Sequence, residues 1–319
     1  MFRFLLFLFL ALCNIELEAK RKRDARDPIA VTNTGFPQYY CTAANEPFYH
    51  RLVNLIGSIM KYNYDSLVEV AVYDLGLTQE MVQELNKMKK VNVYRLKDQN
   101  PDLLGVLSWF AWKPAVVKES LERFPYVLWV DAGTSIVKNL DPLFKHIAKN
   151  GYFICTIGDV NWQGHPGPLH PVGWGTTTHV KEKFGLDTPE KEWILAEPSV
   201  MGGVVGSCKD PVLSCSLIDD WYALTGDIRN FWDDGTAPQG RGCARNDQTL
   251  LSIIAYIKGL TVHQQDWSQA TPIMLSTNEG EVPFHITWYA GAVNNDTSIY
   301  GSRFDTKYFY EYHTYIRWK

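Results

Sequence analysis

An α/β fold is predicted by three features of the 319-residue chain. Apolar runs of strand length alternate with segments of helical spacing through the first half. The connections between those runs are long enough to carry helices, which implies a mainly parallel sheet with right-handed crossovers. One run, residues 126–131 (YVLWVD), ends in an acid followed by Ala132 and Gly133. Ligands of such sheets bind beyond the carboxyl ends of the strands. Asp131 therefore stands where a ligand would, with small neighbours that leave room for a large anion. Capping of the following turn is the structural alternative for the same acid.

In chain order, residues 38–42 read as a short strand, and residues 47–62 as a helix with Leu52, Leu55, Ile56 and Ile59 at helical spacing. Residues 67–73 (LVEVAVY) are a strand. Thr78 opens a helix with Glu80 and Glu84 early and Lys87, Lys89 and Lys90 late, as the helix dipole favours. Residues 91–96 are a strand, and residues 114–123 a helix with proline at its start. After the strand ending at Asp131, Asp141-Pro142 begins another helix, and residues 152–157 form another strand. The second half is less regular. Residues 161–176 (NWQGHPGPLHPVGWGT) form a loop rich in Gly, Pro, His and Trp. A loop of that length in a compact domain is usually functional or disordered, and the aromatic and histidine content argues against disorder. The paired Gly202-Gly203 in residues 201–205 mark either a close approach of backbone to ligand or a tight turn. Residues 245–248 (RNDQ) open an apolar helix over 249–257, and residues 284–288 (FHITW) are a strand carrying a histidine.

Hydrophobic residues make up 46% of the chain and charged residues 21%, the composition of a globular protein with a sizeable core. A net charge of −4 gives no basic footprint for nucleic acid, so no nucleic-acid partner is expected. The 11 Trp and 17 Tyr suit a core and also suit stacking on sugars. Met1-Phe2-Arg3 followed by the apolar run Phe4 to Cys13 has the form of a signal peptide over residues 1–19, with a small-residue cleavage point near Ala19. The run is too short to span a bilayer, so contact with a membrane is expected only transiently, through this segment. A short uncleaved anchor is the other reading. Residues 20–36, with the basic stretch KRKRDAR, read as a linker, and residues 37–319 as one domain that is secreted or held in the secretory lumen. Beyond Cys13 the cysteines are odd in number (Cys41, Cys155, Cys208, Cys215 and Cys243), so at least one thiol stays unpaired within the chain. Cys41 and Cys155 lie in apolar runs as buried small residues, while Cys208 and Cys215 are near enough in sequence for a local bridge. Asn295-Asp296-Thr297 is a glycosylation sequon.

These segments together resemble the GT-A glycosyltransferases, in particular the glycogenin and bacterial lipopolysaccharide galactosyltransferase group, and within it a subset with a WKP motif upstream of a DAG motif. The resemblance covers most of residues 37–290. It implies a Rossmann-like mixed sheet flanked by helices in a single domain. CTAANEPFYHRLVNLIGSI (41–59) is similar to the family's first strand and helix, whose junction, here Ala43, Ala44 and Asn45, touches the nucleotide base. VAVYDLGLT (70–78) resembles the second strand and turn, with Asp74 in place for a base or ribose contact. WKP (112–114) precedes the metal-binding strand. VDAG (130–133) stands where the family carries Asp-x-Asp, here with Gly133 in place of the second acid. GGVVG (202–206), through Gly202 and Gly203, resembles the segment that holds the donor sugar. RNDQ (245–248) resembles the Asp-Gln helix start, and FHITW (284–288) the late histidine strand that completes the metal site.

The resemblance implies transfer of a hexose from a nucleotide-diphosphate sugar, UDP-linked and with retention, to a hydroxyl of a glycan, lipid or protein. Mn²⁺ or Mg²⁺ would neutralise the leaving diphosphate, held by Asp131 and His285 with the diphosphate itself. Lys113 would meet the phosphates as a point charge, or else face solvent at a helix start. Asp247 and Gln248 would face the reactive centre of the donor, or serve as helix caps. His165, His170 and Trp174 would line an acceptor site, or belong to a plain surface loop. A dinucleotide oxidoreductase is disfavoured, because Ala43-Ala44-Asn45-Glu46 replaces its glycine-rich turn. A glycosidase needs two acids at a set separation, and no such pair stands out. The remaining rival is a secreted binding protein for carbohydrate or nucleotide sugar on an inactive version of the same scaffold, which loss of the second acid would permit.

Overall fold

The computed structural model describes residues 35–97, 100–136, 139–156, 171–238, 240, 246–263, 272–277, 280–288 and 312–319, with 272–288 given by their backbone course. Gly35–Lys319 form one compact unit. In chain order its main elements are β1 (Gln38–Ala44), α1 (Tyr49–Asn63), β2 (Leu67–Asp74), α2 (Gln79–Lys87), β3 (Val91–Tyr94), α3 (Pro101–Leu104), α4 (Trp112–Arg123) and β4 (Tyr126–Val130). They continue with β5 (Thr134–Ile136), α5 (Asp141–Asn150), β6 (Tyr152–Phe153), α6 (Thr178–Phe184), β7 (Val204–Cys208), α7 (Leu217–Ala223), α8 (Asn246–Ile257), β8 (Pro272–Thr277) and β9 (Gly280–Trp288). Thr78 caps α2 as its sequence position suggests, accepting from Met81 N at 3.3 Å.

A six-stranded sheet runs in the order β3-β2-β1-β4-β7-β6. The β1–β2, β2–β3 and β1–β4 pairs are parallel, while β7 is antiparallel to both β4 and β6. The sheet is therefore mixed. Alternate residues of each central strand serve opposite faces. Tyr40, Leu128 and Val130 pack with α1 and α5, while Cys41, Val127 and Trp129 pack with α4, α7 and α8. Burial on both faces is why these strands are continuously apolar in sequence.

Several boundaries differ from the sequence expectation. β1 continues through Ala43 and Ala44, α1 begins at Tyr49 after a 3-10 turn, β3 ends at Tyr94 and α4 begins at Trp112, two residues before its proline. Pro114 is still in the first turn, where no intrahelical N–H is lost. The strand expected over 152–157 is confined to Tyr152–Phe153, with Cys155 and Thr156 in single bridges to His263 and Val200. The strand expected over 284–288 is longer, Gly280–Trp288. β9 pairs antiparallel with β8 and β5 in a second, three-stranded sheet.

Helix α1 is buried on both sides rather than amphipathic. Its polar residues hold the outer layer. Asn54 Nδ2 donates to Ser135 Oγ at 3.0 Å, Ile136 N donates to Ser58 Oγ at 2.9 Å, and Tyr312 N donates to Asn54 Oδ1 at 3.2 Å. A β-carbon on Gly57 would lie 2.1 Å from the Tyr312 carbonyl, so this glycine admits the C-terminal segment. Cys41 and Cys155 are buried, and burial pushes both thiols up to about 12. Cys208 and Cys215 are free thiols, so the local bridge is not formed. Cys243 and the sequon at Asn295 lie outside the described residues. Among the described residues no helix is long and apolar enough to cross a membrane.

His263 is buried, its ring stacked on Phe153 at 5.3 Å with His146 edge-on at 5.2 Å. Burial, reinforced by the neighbouring His146, lowers its pKa to about 4. Below the ordinary histidine value near 6.5 the unfolded chain takes up a proton that the folded chain refuses. Stability should thus fall as pH drops from about 6.5 to about 4, by on the order of 3 kcal/mol from this residue. His263→Phe should flatten that part of a urea-denaturation series; an unchanged slope would show that His263 does not set it.

Candidate functional site

The carboxyl ends of β1 and β2 lie side by side, with Ala44 opposite Asp74. Ala43 and Ala44 are buried strand residues. Backbone bonds join the two ends: Leu75 N donates to Ala44 O at 3.0 Å and Glu46 N to Gly76 O at 3.0 Å. Asn45 precedes the 3-10 turn Glu46–Phe48 without capping it by its side chain. Asp74 holds its own turn, accepting from Gly76 N at 2.9 Å and Leu77 N at 2.7 Å through Oδ1, with Arg95 at 3.7 Å from Oδ2.

A second group gathers at the end of β4. Asp131 is one residue beyond the strand. Its amide donates to Gly203 O at 2.9 Å, and its carbonyl accepts from Thr134 N at 2.9 Å. The chain turns here through Ala132 and Gly133 and leaves the main sheet for β5. Lys113, in the first turn of α4, is 3% exposed. Its Nζ lies 3.1 Å from Asp131 Oδ1 and 2.7 Å from Asp247 Oδ2, and donates to Gly202 O at 3.2 Å. Lys113 thus makes one hydrogen bond, to Gly202 O, and two ion pairs, to Asp131 and Asp247. Lys113 is therefore not solvent-facing. It is an internal clamp joining α4, the β4–β5 turn, the Gly202-Gly203 turn and α8. Asp247 directs its carboxylate at Lys113, so the plain-cap reading gives way to an ion pair. Gln248 is its neighbour, with a buried Nε2 that has no hydrogen-bond partner among the described residues.

The electrostatics follow from this packing. Burial alone would lower the Lys113 pKa, but the charges of Asp131 and Asp247 outweigh it and hold the ammonium above its ordinary value. Burial raises the Asp247 carboxyl above the usual range, and Lys113 offsets this only in part. With both acids ionised, two carboxylates share one ammonium, leaving a net negative charge that favours a further cation.

Two contributors escaped the sequence reading. Trp129 Nε1 donates to Asp131 Oδ1 at 3.0 Å. The i, i+2 spacing that puts both on one face of a strand was the available signal. The Phe110 ring lies 5.1 Å from Lys113 Nζ, with its backbone in the left-handed region at φ 56°.

Gly202 has a steric reason to be glycine. A β-carbon there would lie 2.8 Å from Asp247 Oδ2 and 3.4 Å from Gln248 Cβ. Gly202→Ala should displace the Asp247 carboxylate and cost about 1–3 kcal/mol, as overpacking does. Thermal denaturation checks this, and an unchanged melting temperature would show that the carboxylate yields freely.

His285 lies on β9 opposite Pro272. In the β5–β9 pairing Thr134 faces Trp288, so His285 is three residues, roughly 10 Å, along the strand from the end nearest Asp131. Its side chain, His165 and His170 lie outside the described residues. Trp174 is exposed on a 3-10 turn, Val172–Gly175. Among the described residues no group of three or more His, Cys, Asp or Glu could by itself hold a metal ion. Asp131 Oδ1 is engaged by Trp129 and Lys113, which leaves Oδ2 as the donor. A single carboxylate oxygen is what the described residues would offer a Mg²⁺- or Mn²⁺-type ion, which would need its other ligands from phosphate oxygens or water.

No family model and no curated protein matches the chain. Its structural neighbours are GT-A glycosyltransferases. Two structures of LgtC, an active-site mutant and the galactosyltransferase in complex with donor and acceptor sugar analogs, are 12% and 13% identical. Each match covers 88% of this chain and 96% of the other, with TM-scores of 0.49 and 0.47. Mouse xyloside xylosyltransferase 1 is 12% identical over 72% of this chain and 85% of its own, with a TM-score of 0.44. The bifunctional WbbM is 10% identical over 75% of this chain, with a TM-score of 0.43, and this chain spans 40% of WbbM's length.

Proposed function

We propose that this chain is a glycosyltransferase that moves a hexose from a nucleotide-diphosphate sugar, UDP-linked, to an acceptor hydroxyl with retention of configuration. The observation that carries the reading is the buried Lys113 clamp. It fixes Asp131, Gly202 and Asp247 together at the carboxyl ends of the strands, where ligands of α/β sheets bind. A buried cation between two acids is costly to maintain for stability alone. Asp131 Oδ2 would hold a divalent ion together with the donor diphosphate, with His285 as a candidate further ligand. Such an ion would neutralise the charge that builds on the leaving diphosphate. The ends of β1 and β2, with Asn45 and Asp74, would take the nucleoside. The Gly202-Gly203 turn, packed against Lys113, Asp131 and Asp247, would lie beside the donor sugar. Gln248 Nε2, a buried donor without a partner among the described residues, would supply a hydrogen bond to that sugar. The apolar run from Phe4 to Cys13 supports export to the secretory lumen or beyond.

A thermal-shift series with UDP, UDP-hexoses and GDP-hexoses, each with and without Mn²⁺, tests the reading. A nucleotide at about 100 times its Kd should stabilise the fold by about 2.7 kcal/mol. The shift should need nucleotide and cation together, because neither half of the site is complete alone. Absence of a shift with every nucleotide at every Mn²⁺ concentration would overturn the proposal.

A further inference from the structure

A buried serine in the interior of α8 ties that helix to the chain entering the Gly202-Gly203 turn. Ser252 is 0% exposed and lies one helical turn beyond Gln248. Its Oγ donates to Gln248 O at 2.7 Å. The same oxygen accepts from Val200 N at 2.8 Å. Serine is a poorer helix former than alanine, and a hydroxyl that bonds back to the carbonyl four residues earlier slightly weakens the helix. Packing alone would be served better by alanine. What the hydroxyl adds is the link to Val200.

Both ends of that link belong to the site. Val200 lies two residues before Gly202, and Met201 N between them donates to Cys155 O at 2.7 Å, so the chain enters the glycine turn already fixed. At the other end the bonded carbonyl is that of Gln248 itself. A β-carbon on Gly202 would lie 3.4 Å from Gln248 Cβ, which shows how closely the turn and this residue approach. The preceding carbonyl of α8 is held as well: Trp221 Nε1, from α7, donates to Asp247 O at 3.1 Å. Two side-chain bonds on successive carbonyls fix the first turn of α8 both along its axis and about it, because a hydrogen bond tolerates only a narrow range of distance and angle.

We propose that Ser252 is a positioning residue: its hydroxyl sets the spacing between the Gln248 side chain and the Gly202-Gly203 turn, and so the seat of the donor sugar. This rests on the transferase reading, which puts both of those groups on that sugar. The nucleoside end of the site lies on β1 and β2, away from this seam, so nucleotide affinity should not depend on Ser252. The chemical step should, because a displacement of about 1 Å away from the reacting atoms can cost on the order of 10²-fold in rate.

The test compares the full chain as wild type, Ser252→Ala, Ser252→Thr and Tyr256→Phe. Threonine in a helix can place its hydroxyl on the same carbonyl four residues back. Tyr256 Oη donates to Pro198 O at 2.6 Å, on the same seam one turn further from the site, so Tyr256→Phe reports what loss of a seam bond does to stability alone. Hydrolysis of UDP-glucose and UDP-galactose with Mn²⁺ gives kcat and KM, calorimetry gives the Kd of UDP, and hydrogen exchange gives the protection of the Val200 amide. Melting temperature is the common control. Ser252→Ala should lose protection at Val200 and lower kcat by about tenfold or more. Its KM and its Kd for UDP should stay within about twofold of wild type, the pattern of an interaction felt only in the transition state. Ser252→Thr should restore kcat to within about threefold. Tyr256→Phe should lower the melting temperature and keep kcat. Wild-type kcat in Ser252→Ala, or an equal loss of kcat in Tyr256→Phe, overturns the positioning role while the transferase reading stands. A wild type that hydrolyses neither donor overturns both.

Discussion

Lys113→Met should lose about 3–5 kcal/mol of stability, the range for breaking a buried ion pair on one side. Methionine keeps most of the length and apolar stem, so the change is chiefly in charge. It leaves Asp131 and Asp247 without the ammonium that now separates them at 3.1 and 2.7 Å. The two carboxylates then repel, and the Asp247 carboxyl, already raised by burial, rises further. An acid whose folded pKa is raised stabilises the fold at low pH and loses that contribution as pH climbs through the folded value. The deficit of Lys113→Met relative to wild type should therefore shrink on acidification. The contribution of His263 is common to both proteins and cancels in the difference. Urea denaturation at several pH values measures this, and Lys113→Met/Asp247→Asn should recover part of the loss at neutral pH. A single variant within 1 kcal/mol of wild type at neutral pH would show that the clamp contributes nothing net.

Asp131→Asn should separate chemistry from folding. The amide oxygen can still accept from Trp129 Nε1, and Lys113 keeps Asp247 and Gly202, so the melting temperature should change little. The side chain is 29% exposed, which leaves the carboxylate within reach of a ligand at the strand end. Losing its charge should lower donor turnover by roughly 10²-fold or more, the usual cost of removing one preorganised electrostatic group. The Mn²⁺ concentration needed for half-maximal turnover should rise at the same time. Turnover equal to wild type would rule out a direct role for Asp131, and a melting temperature that collapses with activity would assign it a structural one.

The first half of the fold was legible because its signals are local. Thr78, Lys87 and the apolar period of 52, 55, 56 and 59 report on residues within a turn or two of themselves, whereas Lys89 and Lys90, expected late in α2, lie in the turn beyond its end at Lys87. Boundaries slipped where tertiary contacts extend or cut short an element. β1 runs on through Ala44 because β2 continues to pair with it up to Asp74. α1 has its apolar residues at helical spacing, yet Asn54 and Ser58 are buried as well, because they bond to Ser135, Ile136 and Tyr312. Single-sequence periodicity does not distinguish a polar face turned to water from one turned to backbone amides. Of the two sequence readings of Lys113 the solvent-facing one falls for the same reason: a lysine at a helix start is usually solvated, and only its partners make it buried.

By itself, the sequence determined the main alternation of strands and helices up to β4, the apolar runs that form them, and the acid at the end of β4. Those properties depend on neighbours along the chain, where period, caps and small residues are directly written. The tertiary structure decided that β7 enters the sheet antiparallel between β4 and β6. It also decided that Lys113 meets Asp131 and Asp247, and that Ser252 meets Val200. These pairings join segments far apart in sequence. They arise from closure of long connections and from complementarity of charge and shape between packed faces, neither of which leaves a local spacing pattern.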